Sequence, residues 1–194
     1  MTMSLAPIKA TMSVDEYLGG EQSSDIRHEY DNGYVVAMVG ASRTHNLITL
    51  SLASAIREKL KGTPCRTYAS DMKVRIQTNE NDLFYYPDVM VSCDSSPTSE
   101  FYEEKPSLII EVLSPSTETR DKLEKLAAYS RIPTLKEYFT VAQDAAEVRR
   151  YALENGEVVM TQHQDGDVVE FSSIELLLPV KEIYEDVVNQ IGKK

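Results

Sequence analysis

The residues that could do chemistry are two carboxylates set in apolar surroundings. Asp88 lies in the run Tyr85-Tyr86-Pro87-Asp88-Val89-Met90-Val91, and Glu111 in Leu108-Ile109-Ile110-Glu111-Val112-Leu113. Both runs are short, rich in β-branched residues and strongly apolar, the pattern of buried strands. A buried carboxylate is costly unless it is neutralised, paired or bound to a cation. On neighbouring strands the two acids would offer hard oxygen ligands suited to Mg²⁺ or Mn²⁺. A cation held there lowers the pKa of a bound water and draws charge from a phosphate oxygen. That reading requires the two side chains to converge. The alternative is structural: Asp88 caps a strand end and Glu111 pairs with a basic side chain.

Other side chains bear on the same chemistry. Asp121, Lys125 and Tyr129 fall at i, i+4 and i+8, so they line one side of a helix whose core stripe is Leu123, Leu126 and Ala127. They form either a solvated ion pair with a surface tyrosine, or a side from which Lys125 reaches the carboxylates. In that place an ammonium would orient an attacking water and stabilise phosphate charge. His45 begins a long helix, where it is a cap-region histidine or a base or phosphate contact. Glu29, just ahead of a turn, is a surface acid or an outer metal ligand. Asp71, Lys73 and Arg75 alternate and read as sheet-surface charge. Ser114-Pro115-Ser116 lacks the glycines of a nucleophile elbow, and there is no Walker loop or dinucleotide fingerprint.

The elements that must position these residues follow from periodicity and punctuation. Ser13 with Glu16 is a capping box for a helix over 14–18, which Gly19-Gly20 stops. Asp31-Asn32-Gly33 turns a hairpin into a strand over 34–39. Helical spacing of Leu47, Leu50, Ile56 and Leu60 predicts a helix over 44–61, capped by Thr44 and ended by Gly62 and Pro64. Strands are expected over 65–69 and 72–76, followed by the Asp88 run, a polar loop over 92–106 and the Glu111 run. A helix over 118–131, a strand over 137–141 and a hairpin of 147–153 with 157–162 about Asn155-Gly156 come next. A strand over 168–171 and a helix over 180–190 finish the chain.

Composition sets the frame. The 194 residues fit a flexible tail over 1–12 and one domain over 13–194. No apolar run approaches the roughly 20 residues of a membrane span, and no secretory signal is visible. Cys65 and Cys93 read as small buried hydrophobes in a reducing cytoplasm, and three scattered histidines disfavour a structural zinc site. A net charge of −11 disfavours indiscriminate electrostatic binding of nucleic acid but leaves room for a local site.

Pro87-Asp88 followed some twenty residues later by Glu111-Val112-Leu113, within this order of elements, resembles the PD-(D/E)xK restriction-endonuclease-like superfamily. The closer resemblance is to the bacterial Uma-two family of restriction endonucleases, long labelled a domain of unknown function. Its segments are Glu29-Tyr30-Asp31-Asn32-Gly33, His45-Asn46, Tyr86-Pro87-Asp88-Val89, the run Ile110 to Thr117, Asp121, Glu124-Lys125 and Tyr129, with Ile132-Pro133, Glu137-Tyr138 and Glu182-Ile183-Tyr184 later. Nearly the whole chain is covered, and Glu-Val-Leu-Ser-Pro-Ser-Thr is the most specific part. The superfamily lysine two residues after the glutamate is Leu113 here. The resemblance moves that amine to Lys125, with Lys122 as substitute.

It implies an α/β fold with a restriction-endonuclease-like core: a central mixed β-sheet flanked by helices, with extra N-terminal and C-terminal β-hairpins. It also implies Mg²⁺-dependent cleavage of DNA by Asp88, Glu111, Lys125, His45 and Glu29, in a homodimer. The competing expectations are an inactive fold that binds nucleic acid or protein, and a structural subunit whose carboxylates are matched by salt bridges.

Overall fold

A computed structural model describes residues 12–78, 81–113, 124–154 and 156–191. The elements are α1 (Val14–Glu21), β1 (His28–Asp31), β2 (Tyr34–Ala37), α2 (Arg43–Lys59), β3 (Arg66–Ala69), β4 (Lys73–Gln77), β5 (Asp82–Tyr85), β6 (Val89–Ser92), β7 (Tyr102–Glu103) and β8 (Pro106–Leu113). They continue with α3 (Leu126–Tyr129), β9 (Glu137–Ala142), β10 (Glu147–Glu154), β11 (Glu157–Gln164), β12 (Val168–Phe171), β13 (Leu176–Pro179) and α4 (Val180–Ile183).

The strands β11-β10-β9-β8-β6-β3 form a six-stranded mixed sheet in which only β8 and β9 run parallel. Its central strand β8 is buried along nearly its whole length, as a strand covered on both faces must be. Alternation then sorts its residues. Leu108, Ile110 and Val112 join Ile48, Leu52 and Ile56 of α2 in one apolar cluster. Ile109 turns the other way, to Met90, Tyr129 and Tyr138.

A second, five-stranded sheet, β2-β1-β5-β4-β7, shares that other cluster through Val74, Ile76, Leu83 and Tyr85. Its outer face carries Tyr30 and Phe84 under Tyr17 of α1. The mixed sheet flanked by helices is therefore present. The second sheet, which covers one face of the first, has no counterpart in the linear pattern.

Several local expectations hold. The Ser13–Glu16 capping box is formed in full. Asn32 and Gly33 take left-handed φ of 49° and 95° and close the β1–β2 hairpin, with Asp31 level with Tyr34. β10 and β11 pair throughout, with Glu154 level with Glu157; Asn155 lies outside the described residues.

Others are corrected. α1 runs on through Gly19-Gly20 to Glu21, because its buried face docks Tyr17 and Glu21 on the sheet. α2 is capped by Ser42, whose hydroxyl accepts from the His45 N–H at 3.1 Å, rather than by Thr44. The single strand expected around Asp88 is two, β5 and β6, in different sheets. Pro87, which has no N–H for a ladder, sits in the link between them. The last helix stops at Ile183, and a tighter 3-10 turn, Glu185–Val187, follows. Of the helix expected over 118–131, residues 118–123 lie outside the described residues, as do Asp121, Lys122, Leu123 and Ser114 to Thr117. Residues 1–11 of the expected tail lie outside them too.

The cysteines also depart from expectation. The β3–β6 register sets Arg66 level with Ser92, so Cys65 and Cys93 stand side by side with Cα atoms 4.0 Å apart and form a disulfide. Cys65 is half-buried and Cys93 exposed. Antiparallel pairing, not sequence proximity, brought them together, and cysteine usage no longer argues for a reducing compartment. Among the described residues no helix is long and apolar enough to cross a membrane.

Candidate active site

Alternation turns Glu111 to the side of β8 that faces α3. There the i, i+4 pair Lys125 and Tyr129 meets it. The Lys125 Nζ lies 2.9 Å from Glu111 Oε1, and the Tyr129 hydroxyl donates to the same oxygen at 2.7 Å. Lys125 also stands 3.1 Å from Glu29 Oε1, on β1 of the other sheet. Its ammonium lies 5.6 Å from the Tyr85 ring centroid, a cation–π contact. Glu29, Glu111 and Lys125 are 4%, 3% and 5% exposed, so the cluster is dry and its Coulomb interactions are little screened. Burial, and then the neighbouring Glu111 charge, raises the Tyr129 pKa well above its ordinary value. The phenol therefore stays protonated and serves as a donor.

Asp88 occupies the sheet-to-sheet link immediately before β6. Val89 pairs with Ile110, so one further step of the ladder sets Asp88 level with Glu111. Asp88 Oδ2 accepts from the Val112 N–H at 2.7 Å and lies 3.2 Å from His45 Nε2. His45 reaches it from the first turn of α2. Two groups thus lie at the end of β8, one reached from α2 and the other from α3. One is Asp88 with His45; the other is Glu111 with Lys125, Glu29 and Tyr129. Val112, whose N–H holds Asp88, is the residue next to Glu111.

These contacts involve Asp88, Glu111, Lys125, His45 and Glu29; Asp121 and Lys122 lie outside the described residues. Both readings of Glu111 meet in Lys125, since a basic partner is what a structural role and a catalytic one alike demand. Tyr129 is no surface tyrosine but fully buried, and its i+4 spacing from Lys125 was the available signal. Tyr85 carried no signal beyond its place beside Pro87-Asp88. The expectation for Lys73 is also overturned. It is not sheet-surface charge, because β4 lies between β5 and β7 and its first residue is covered.

Among the described residues no set of three or more His, Cys, Asp or Glu side chains is grouped to hold a metal ion. The donor set on offer is a pair of carboxylates at one level of adjoining chain. Mg²⁺ suits such a set, since it keeps several waters and takes one or two protein carboxylates.

The architecture comes first: a mixed α/β fold of two principal sheets with few helices. A crystal structure from Anabaena variabilis, described as "a putative nuclease belonging to DUF820", superposes with a TM-score of 0.68. It covers 90% of this chain and 98% of its own at 19% identity, a likeness of fold. Two proteins of Synechocystis sp., both described as uncharacterized, are similar in sequence. One is 34% identical over 175 residues, covering 89% of this chain and 91% of its own. The other is 32% identical over 143 residues, covering 72% and 80%. The chain belongs to the Uma2 family, described as "Putative restriction endonuclease", whose model matches residues 14–180.

Proposed function

We propose that this chain is a metal-dependent endonuclease that hydrolyses phosphodiester bonds in DNA. The observation that carries the reading is the buried Lys125 ammonium shared between Glu111 and Glu29, with Asp88 level with Glu111 in the strand register. Buried ion pairs seldom stabilise a fold more than apolar residues of the same volume would. Stability alone therefore does not account for three charged groups packed at the end of the central strand. Family membership and the nuclease-type fold support the same reading.

Asp88 and Glu111 would hold Mg²⁺, with Mn²⁺ as substitute. When bound, the cation supplies a more acidic water and draws charge from the phosphate oxygen. The rest falls to this chain's own side chains. Lys125, the amine displaced from the strand to the helix, orients the attacking water and neutralises charge that develops on the phosphate. Glu29 and the Tyr85 ring hold that amine in place. Tyr129 fixes the Glu111 carboxylate, and His45 fixes Asp88 or contacts the phosphate. Cleavage of both strands calls for two copies. The hairpin of β10 and β11 suits their pairing, since it ends the sheet with Val158, Val159 and Met160 exposed.

The test is cleavage of plasmid DNA with and without Mg²⁺. Asp88→Ala and Glu111→Ala should each abolish it while the circular dichroism spectrum stays unchanged. Cleavage that persists equally in both variants would refute the assignment.

One observation favours a second reading, an inactive fold kept as a binding module: the carboxylates are already matched by Lys125. Calorimetric titration with Mn²⁺ separates the two, because a binding module has no need of a cation at Asp88 and Glu111.

A further inference from the structure

Lys73 opens β4 with a buried ammonium, 7% exposed. Among the described residues it forms no ion pair, and its one hydrogen bond goes to the neutral Tyr86 hydroxyl at 3.3 Å. Tyr86 donates in turn to Glu21 Oε2 at 2.6 Å. Glu21 is fully supplied, because it also accepts from the His28 backbone N–H at 3.2 Å and lies 2.8 Å from the His28 ring Nδ1. The chain of contacts therefore ends in a satisfied acid and begins in a cation that meets no anion among the described residues, only the Tyr86 hydroxyl and, 5.1 Å from its centroid, the Tyr86 ring. Burial lowers the Lys73 pKa; the Glu21 charge opposes this and the Arg27 charge adds to it. An ammonium held this way gains most from an anion brought to it.

The space for one is present. Lys73, Tyr86 and Glu21 line a cavity of about 590 Å³. That lies inside the usual range of small-ligand sites, roughly 300–1,000 Å³, and far exceeds a lone phosphate. Arg27 adds a second cation, steadied by Ser24 O at 3.1 Å and by Asp71 at 3.6 Å. Phe101, 49% exposed, and Tyr102 supply flat apolar faces of the kind on which a base stacks. Asp25, Asp71 and Glu100 also line the cavity; these acids oppose a polyphosphate and leave a single phosphate as the better match.

We propose that this cavity binds a mononucleotide, with its phosphate on Lys73 and its base on Phe101. The site lies on the opposite side of the five-stranded sheet from the candidate active site. Consecutive residues show the division: Glu29 and Tyr85 meet Lys125, while their neighbours His28 and Tyr86 meet Glu21. The inference does not rest on phosphodiester hydrolysis.

The test is calorimetry on the full chain in EDTA, with inorganic phosphate, adenosine 5′-monophosphate and a 5′-phosphorylated tetranucleotide as probes. The monophosphate should bind once per chain and more tightly than inorganic phosphate. Lys73→Met should weaken it roughly tenfold or more, the loss of a charge-assisted hydrogen bond. Phe101→Ala should weaken the nucleotide and leave inorganic phosphate unchanged. Lys125→Met should leave nucleotide affinity unchanged. Tetranucleotide binding as tight as that of the monophosphate identifies a strand end as the ligand, and weaker binding identifies a free nucleotide. Should Lys73→Met fail to fold, Phe101→Ala and Arg27→Ala decide. The proposal is overturned if neither nucleotide probe binds, if affinity survives in the cavity variants, or if Lys125→Met abolishes binding.

Discussion

Lys125→Met isolates the electrostatics of the candidate active site. The methionine keeps most of the stem volume and removes the charge. At 3–5% exposure the partners sit in the regime where removal of one member of an ion pair costs about 3–5 kcal/mol. Glu111 keeps the Tyr129 hydroxyl at 2.7 Å, which puts the expected loss near the lower end. Glu111→Gln alone should cost about 2 kcal/mol, since it gives up charge-assisted bonds while Lys125 keeps Glu29. The double variant has no stranded Glu111 charge, so it should lose less than the sum, by about 2 kcal/mol. Urea unfolding at neutral pH gives each midpoint. If Glu111 and Glu29 can hold a divalent cation, millimolar Mg²⁺ should restore stability to Lys125→Met and not to the double variant. Additivity within about 0.5 kcal/mol would refute the claim that these groups form one unit.

Three further outcomes are expected. Burial raises the pKa values of Tyr17, Tyr86 and Tyr129, helped next by Tyr86 at Tyr17, by Glu21 at Tyr86 and by Glu111 at Tyr129, and burial followed by the Glu103 hydrogen bond pushes Tyr68 up to about 12. The folded chain keeps these protons where the unfolded chain, with tyrosines near 10, releases them. Stability is then fully present below about pH 10 and is lost as pH rises toward 12. Tyrosinate absorbance should rise together with unfolding, and gradual ionisation of a folded chain would contradict this. Reduction of the Cys65–Cys93 bond, which spans 28 residues, should lower stability by roughly 3–4 kcal/mol; an unchanged urea midpoint in dithiothreitol would tell against the bond. Ser13→Ala removes the hydroxyl that accepts from the Glu16 N–H and should cost about 1 kcal/mol, read as a lower melting temperature.

What the chain discloses about itself divides by range. Asn32-Gly33, the Ser13 cap and the helical spacing over 44–61 are local signals, and the elements they specify are present, although the buried stripe of the long helix is Ile48, Leu52 and Ile56 while Leu50 is exposed. Spacing put Lys125 and Tyr129 on one side of a helix, one turn apart, but left open whether that side was solvated. Long-range packing decided the rest. α1 crosses Gly19-Gly20 because docking of Tyr17 and Glu21 outweighs the low propensity of glycine. The burial of Lys73 and the pairing of Cys65 with Cys93 arise from strand neighbours far away in sequence, and no periodicity encodes which strands adjoin. Glu29 is the sharpest case, since it lies in one sheet and meets a lysine packed against the other.

The short link from Tyr85 to Asp88 works as a length standard. Tyr85 faces the Lys125 ammonium, Tyr86 turns to Glu21, and Asp88 stops level with Glu111 as the chain changes sheets. One residue inserted or deleted there would put every later side chain out of phase and uncouple Asp88 from the Val112 amide. Across variants of this protein, substitutions in the link should therefore be tolerated far more often than any change in its residue count.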